Sequence, residues 1–386
     1  MTTSTAAQQA PDKGKAGKAP VMLRPFFPGS LDLETRTYQK TGTLSASQTP
    51  LDTFYPKTNG FLADLFVEFS AVAAGNAAAV AFKEDAPEIS IANFQLSDTG
   101  GQPILGPMTG WELKTFVKHG GFSFSDDPRQ SQTYSAVTGG GATGGSFSYI
   151  LHIPVQFVRR EPLGPLPNTN SNSAYAVDMT VGTLTQIYST APTNAPTYTV
   201  KIWQDSYRQS SGKDAQGNAT VTSPPGLGAV LYLRRNTMEL AAGNIDEELS
   251  QQEGSYRTLH FVLRDSLDSR ATGDTDWPDP MQVYFNNDVP YDRTKSRWIR
   301  QMERDYGYIN TVETPGGRDR GHFVLPFIVD NSLKAGSEDR YRYLSVSAAD
   351  TLGVRGTIGG AGTHKLTTMY QFVRPPGGNI KGLTAR

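Results

Sequence analysis

GFLADLFVEF, residues 60–69, alternates apolar and polar side chains with a period of two. Ala63, Leu65, Val67 and Phe69 share one face, and Asp64 and Glu68 take the other. Successive side chains of a strand point to opposite faces, so the pattern predicts a strand with one face buried. SFSYILHIPVQF (146–157) repeats it, with Phe147, Tyr149, Leu151, Ile153, Val155 and Phe157 on the buried side. LETRTYQKTG, EISIANFQL, DMTVGTL and TYTVKIW are further strands of the first half. GAVLYLR, YRTLHFVLR, MQVYFNN, HFVLPFIV, YRYLSVSA and KLTTMYQFV are those of the second. Turn clusters such as GNAA, DTGGQP, TGGGATGG and APTNAP separate them. Pro154 and Pro326 interrupt apolar runs. Proline cannot donate to a central ladder, so both are expected at strand edges or bulges.

No stretch alternates strand and helix as a βαβ protein would, so the residues predict an all-β chain built as two sandwiches. RQSSGKDAQGNATVTSPPGLG (208–228) is polar, rich in Gly, Ser and Pro, and without periodicity. It is read as a linker between strand-rich halves at 30–207 and 229–375. Residues 1–29 and 376–386 are read as flexible tails. Lys13, Lys15, Lys18 and Arg24 make the first tail basic against Asp12 alone. Two segments depart from the strand pattern. WELKTFVKHGG (111–121) reads as a short helix. In TKSRWIRQMERDYGYIN (294–310), Trp298, Ile299, Met302 and Tyr306 recur at helical spacing, with Arg297, Arg300, Glu303 and Arg304 on the other face.

The 386 residues are 37% hydrophobic, enough to bury a large core, and carry a formal net charge of −1. That charge gives no global attraction to nucleic acid or anionic lipid. Aromatic residues are not interleaved with the basic ones in the tails, so no stacking platform or sequence-specific nucleic-acid partner is expected. With no cysteine, disulfides, thiolate zinc sites and a cysteine nucleophile are excluded. No apolar run is long enough to span a bilayer, which predicts a soluble protein.

Motifs for chemistry are weak. GGGATG (139–144) matches a dinucleotide fingerprint literally, but a strand follows it where a helix is required, so a loop is expected. His119, His152, His260, His322 and His364 are scattered without metal-ligand spacing and read as isolated strand and turn residues. A metal site assembled by the fold stays open. Asp265, Asp268, Asp274, Asp276 and Asp279 cluster in DSLDSRATGDTDWPD (265–279). The order of an EF-hand fails, and a solvated acidic loop is the expected reading, with an ion at Asp274 and Asp276 left open. No catalytic residue, cofactor or metal ligand is assigned. The expectation is a protein that works by surface contact, not an enzyme.

The layout resembles the double jelly-roll major capsid proteins of the adenovirus–tectivirus lineage, those of tectivirus-like phages most closely. LETRTYQKTG followed by NGFLADLFVEFSAVAAGNAAAVAF resembles the opening strands of the first jelly roll, and GWELKTFVKHGG the short helical excursion after them. SFSYILHIPVQFV, with its Pro, resembles the apolar strand that leads into the late part of that barrel. DRTKSRWIRQMERDYGYIN followed by RDRGHFVLPFIVDN is similar to the helix-containing excursion and next strand of the second. The resemblance covers residues 30–375 and rests on order and spacing. It implies two consecutive jelly rolls, with short helices in long inter-strand excursions. It further implies a pseudo-hexagonal homotrimer that tiles an icosahedral virion shell and is made in the host cytoplasm. Neighbouring trimers, vertex or minor capsid proteins and an internal viral membrane are its implied partners. Trp298, Ile299, Met302 and Tyr306 would pack against the barrel's own end or against a neighbouring subunit. Lys13, Lys15, Lys18 and Arg24 would meet the inner face or membrane, although Pro11, Gly14, Gly17 and Pro20 disfavour a long helical arm. A carbohydrate-binding or glycoside-cleaving β-sandwich, using Trp277 as an exposed aromatic beside the Asp cluster, is the alternative. A virion spike or vertex protein is the third reading.

Overall fold

The computed structural model describes residues 24–374, apart from 27–28, 30, 74, 123–126, 159–161, 173, 226–227, 250–252, 287, 315–316 and 329–341. Its first half contains β1 (Asp32–Thr43), β2 (Gly60–Val72), β3 (Asn76–Phe82), β4 (Ile91–Ser97) and β5 (Pro103–Met108). Helix α1 (Gly110–His119) follows, then β6 (Phe147–Pro154), β7 (Ala176–Val181) and β8 (Thr197–Tyr207). The second half contains β9 (Val230–Glu248), β10 (Gly254–Arg264), β11 (Met281–Phe285) and β12 (Asp288–Arg293). Helix α2 (Lys295–Tyr306), β13 (His322–Pro326) and β14 (Leu352–Arg374) complete it.

In the first half one sheet runs β1-β8-β2-β6, and the other runs from the short strand Thr49–Pro50 through β7 and β4 to β5. Neighbours within each are antiparallel. The chain crosses repeatedly between the two sheets, and that interleaving is the jelly roll. Leu65, Val67, Phe69, Phe147, Val200 and Ile202 from one sheet bury against Phe94, Leu96, Leu105, Val177 and Met179 from the other. The alternation read in residues 146–157 thus supplies one wall of this core.

β2 departs from its expected alternation. Its register with β8 pairs Asp64 with Asp205 but Leu62 with Ser206, which leaves Ala63 as an extra, bulged residue. Phe61 and Ala63 consequently turn outward and join Phe26 and Tyr207 in a small separate cluster. Asp64, expected on the polar face, is buried. Its carboxylate accepts from Gln156 Nε2 at 2.8 Å and Val155 N at 3.3 Å, and His152 Nε2 lies at 3.0 Å.

The second jelly roll makes its two sheets from fewer, longer strands. β9 and β14, 19 and 23 residues long, pair with each other along most of their length. One end of the pair continues into β10 and β13, and the other end into β11 and β12. The pair turns the corner between sheets where Ala241 faces Thr363 but Gly243 faces Ile358. Gly243, Gly360 and Gly362 have φ of 115°, 74° and 90° there, conformations that a residue without Cβ adopts freely. Sequence patterning finds only the apolar ends of these strands, because NTMELAAGNIDEE (236–248) has little period-two contrast.

Pro154 and Pro326 are the last residues of β6 and β13, where no further ladder bond is asked of them. GGGATG is partly strand, since Gly139–Gly141 pairs with β3. Between β8 and β9, Lys213 bridges Ala219, and Thr220 bridges Arg24 of the N-terminal segment. The halves also touch directly. β5 and β9 meet in parallel at Leu105 and Leu233, and Leu231, Leu233, Val262, Met369 and Val373 extend the first core into the second barrel.

Candidate assembly helix and the seam between the barrels

α1 and α2 occupy corresponding connections, β5 to β6 in the first barrel and β12 to β13 in the second. Thr294 caps α2 by accepting from Arg297 N, and Gly307 closes it with φ of 66°. Trp298, Met302 and Tyr306 lie four residues apart on one face and are buried in the second barrel's core. Trp298 meets Trp277, Phe261 and Phe323 edge-on, with ring centroids 6.2, 6.1 and 6.5 Å away. Ile299 is half-buried beside them. The apolar face is therefore filled by the chain's own barrel, and α2 presents Arg297, Arg300 and Arg304 outward. Among the described residues, Arg300 and Arg304 pair locally, with Glu303 and Asp305.

Trp277, expected to be an exposed aromatic, is 3% exposed and stacks on Phe323 at 3.8 Å. Core packing, not a sugar platform, is its role. The aspartates around it are taken up by local contacts. Asp274 pairs with Arg318 and accepts from Gly321 N, Asp276 lies 3.0 Å from His364 Nε2, and Asp279 accepts from Lys295 N.

The less expected feature is a seam of charged groups between the barrels. A capping box of Thr109 and Glu112 starts α1, and Glu112 also receives Arg235 Nη1 of β9 at 2.8 Å. Lys114 and Lys118, one helical turn apart, both reach Asp319 of the second barrel, at 3.1 and 3.3 Å. Lys118 also bonds Asp127 at 3.1 Å and the carbonyl of Gly317 at 2.8 Å. All four side chains are at most 2% exposed. Burial pushes the Asp319 carboxyl up, but the two lysines outweigh it and hold the group well below the usual carboxylate range. Across the same seam Asp85 takes Arg270 and Arg264 at 2.5 Å each, and Arg270 continues to Glu313 at 3.0 Å.

Asp85 gives the seam a measurable acid dependence. Burial raises its pKa, and Arg270 and Arg264 more than offset that, leaving it at about 2 against an ordinary 3.8. A carboxylate depressed in the folded state adds stability that is full above the unfolded value and is lost as pH falls through the folded one. Wild type is therefore expected to lose roughly 2 kcal/mol between pH 4 and 2 through this group. Denaturant melts should show Asp85→Asn less stable at pH 6 and with a flatter slope below pH 4. Equal slopes would show that Asp85 is not the group responsible.

His119 of α1, His260 of β10 and His322 of β13 also meet at this seam, against the expectation of isolated histidines. Spacing could not reveal them, because the ladder between β10 and β13 and the docking of α1 bring them together. Of the basic residues assigned to the N-terminal tail, Arg24 pairs with Asp214 at 2.8 Å, and Lys13, Lys15 and Lys18 lie outside the described residues. Among the described residues no helix is long and apolar enough to cross a membrane.

No family model matches the sequence, and no curated protein does. Solved structures do match. That of Sulfolobus turreted icosahedral virus aligns with 92% of this chain and 96% of its own, at 13% identity and a TM-score of 0.60. The major capsid protein of bacteriophage PM2 aligns over 90% of this chain and 100% of its own, at 11% identity and a TM-score of 0.51. The Faustovirus major capsid protein aligns over 89% and 90%, at 9% identity and a TM-score of 0.50. At these identities the likeness establishes a shared fold of two jelly rolls spanning nearly the whole chain.

Proposed function

We propose that this chain is a major capsid protein, which assembles as a trimer and tiles the shell of an icosahedral virion. The observation that carries the reading is the tandem of two jelly rolls with a helix in the same connection of each. Capsid proteins of the same fold align with it along almost their full length. Three chains with two similar barrels each give six similar corners, and a six-cornered block tiles a shell by shape and contact rather than by chemistry. A closed symmetric trimer also satisfies the rule that stable homo-oligomers close on themselves.

Contacts between subunits would draw on outward groups of both barrels. On the first barrel, Trp203, Phe66 and His152 form a row across β8, β2 and β6, and Trp203 and the nearby Ile150 are 38% and 44% exposed. On the second, the outward arginines of α2 would face an acidic surface of a neighbour. The tail with Lys13, Lys15 and Lys18 would lie on the inner face, toward a viral membrane or minor proteins. Protein made in the host cytoplasm would end in the virion.

Light scattering of the purified protein tests this. A species near three times 41.9 kDa, about 126 kDa, is expected to persist on dilution and to show a hexagonal outline in electron micrographs. A monomer at all concentrations would overturn unaided trimer formation.

A further inference from the structure

Each of the three clustered histidines comes from a different element, one in the first barrel and two in the second, and each is 0% exposed. One ring nitrogen from each lies within 4.8 Å of the others, and His260 Nδ1 and His322 Nε2 are 3.1 Å apart. Around a tetrahedral zinc ion with Zn–N bonds of about 2.0–2.1 Å, ligand nitrogens stand roughly 3.3–3.4 Å apart. One edge of such a site is already at ligand spacing, and the third nitrogen has a short distance to close.

Hydrogen bonds fix the tautomers of two rings. His119 Nδ1 lies 3.0 Å from the carbonyl of Thr115, which can only accept, so the ring proton sits on Nδ1 and Nε2 is a bare lone pair. His260 Nε2 lies 3.0 Å from Thr258 Oγ1, whose own hydrogen goes to Gln371 Oε1 at 3.1 Å. Nε2 of His260 therefore donates, and Nδ1 is bare. Ring N–H groups held by a carbonyl or hydroxyl while the opposite nitrogen faces inward are the arrangement found behind metal-binding histidines. His322 completes the set through Nε2, and its buried Nδ1 has no hydrogen-bond partner among the described residues. With Nε2 of His119 bare, the Tyr308 hydroxyl donates to it, and a metal ion would take over that lone pair.

We propose that His119, His260 and His322 bind one divalent transition-metal ion, zinc before others, and so pin the first barrel to the second. Imidazole without thiolate suits zinc, cobalt and nickel, and the chain has no cysteine to compete for them. Binding needs the proton of His322 to move from Nε2 to Nδ1 and the Tyr308 hydroxyl to release His119 Nε2.

The test uses untagged full-length protein, stripped with chelator and titrated with zinc chloride by calorimetry. One ion per chain is expected, with a melting temperature several degrees higher in zinc and visible d–d bands when cobalt replaces it. His260→Gln and, independently, His119→Gln should weaken uptake at least tenfold. The shift of wild type with zinc needs no variant, so a misfolded variant does not blunt the test. No stoichiometric uptake by stripped wild type, or equal uptake by folded His119→Gln, would overturn the proposal.

Discussion

Trp298→Ala is expected to lower the unfolding free energy by about 3–5 kcal/mol, the range for removing a large aromatic from a core that cannot collapse around the gap. The side chain is fully buried and stands among three other aromatic rings. Two of those, Trp277 and Phe323, are stacked on each other and cannot both move in to fill the space. The same substitution separates two roles for α2. If its apolar face served only a neighbouring subunit, Trp298→Ala would leave the denaturation midpoint of dissociated chains unchanged and weaken assembly alone. Packing inside the second barrel requires the midpoint to fall even in dissociated chains. Arg300→Ala, on the outward face, should change chain stability by less than about 0.5 kcal/mol. Urea unfolding of both variants, read by tryptophan fluorescence, decides the matter. An unchanged midpoint for Trp298→Ala would sink the packing assignment.

Asp319→Asn should cost a similar amount, about 3–5 kcal/mol, for a different reason. Both lysines of α1 are desolvated, and the buried carboxylate is what makes that tolerable. Lys118 keeps Asp127, but Lys114 has only Asp319 as an ion-pair partner among the described residues. Neutralising Asp319 thus strands a cation in a low-dielectric seam. The double variant Lys114→Met with Asp319→Leu removes both sides of that pair. It is expected to lose less than Asp319→Asn alone, because unpaired buried charge, not the absence of an ion pair, carries the penalty. A double variant no better than the single would show that Asp319 stabilises by some route other than pairing with Lys114. Denaturant midpoints at pH 7 in low and high salt supply the comparison, and a buried pair predicts little salt dependence.

Much of the architecture was legible in the chain wherever burial is one-sided. SFSYILHIPVQF follows its period because one face of β6 meets the core and the other does not. Helix α2 was legible for the same reason, through its apolar stripe. What the sequence concealed depends on contacts between distant segments. The bulge at Ala63 is set by β8, and it reverses the burial of Asp64. The polar ends of β9 and β14 are strand because they pair with each other, not because of side-chain pattern. Lys114 and Lys118 give α1 charges on a buried face, which in isolation reads as a helix turned toward solvent. Their partner lies 205 and 201 residues further on, and so neither the seam nor the histidine cluster has any local signature.

That separation has a consequence for how the chain must be made. On a ribosome adding about 5–20 residues per second, roughly 10–40 s pass between the synthesis of α1 and that of Asp319. During that interval the two lysines have no carboxylate from the second barrel, and leaving water would be costly for them. Trp111, Leu113 and Phe116 of α1 belong to the first barrel's core, so the helix has apolar contacts to make before the partner of its lysines exists. The buried charges of the seam thus tie the completion of the first barrel to the synthesis of the second, and a chain ending before Asp319 would leave Lys114 without its carboxylate.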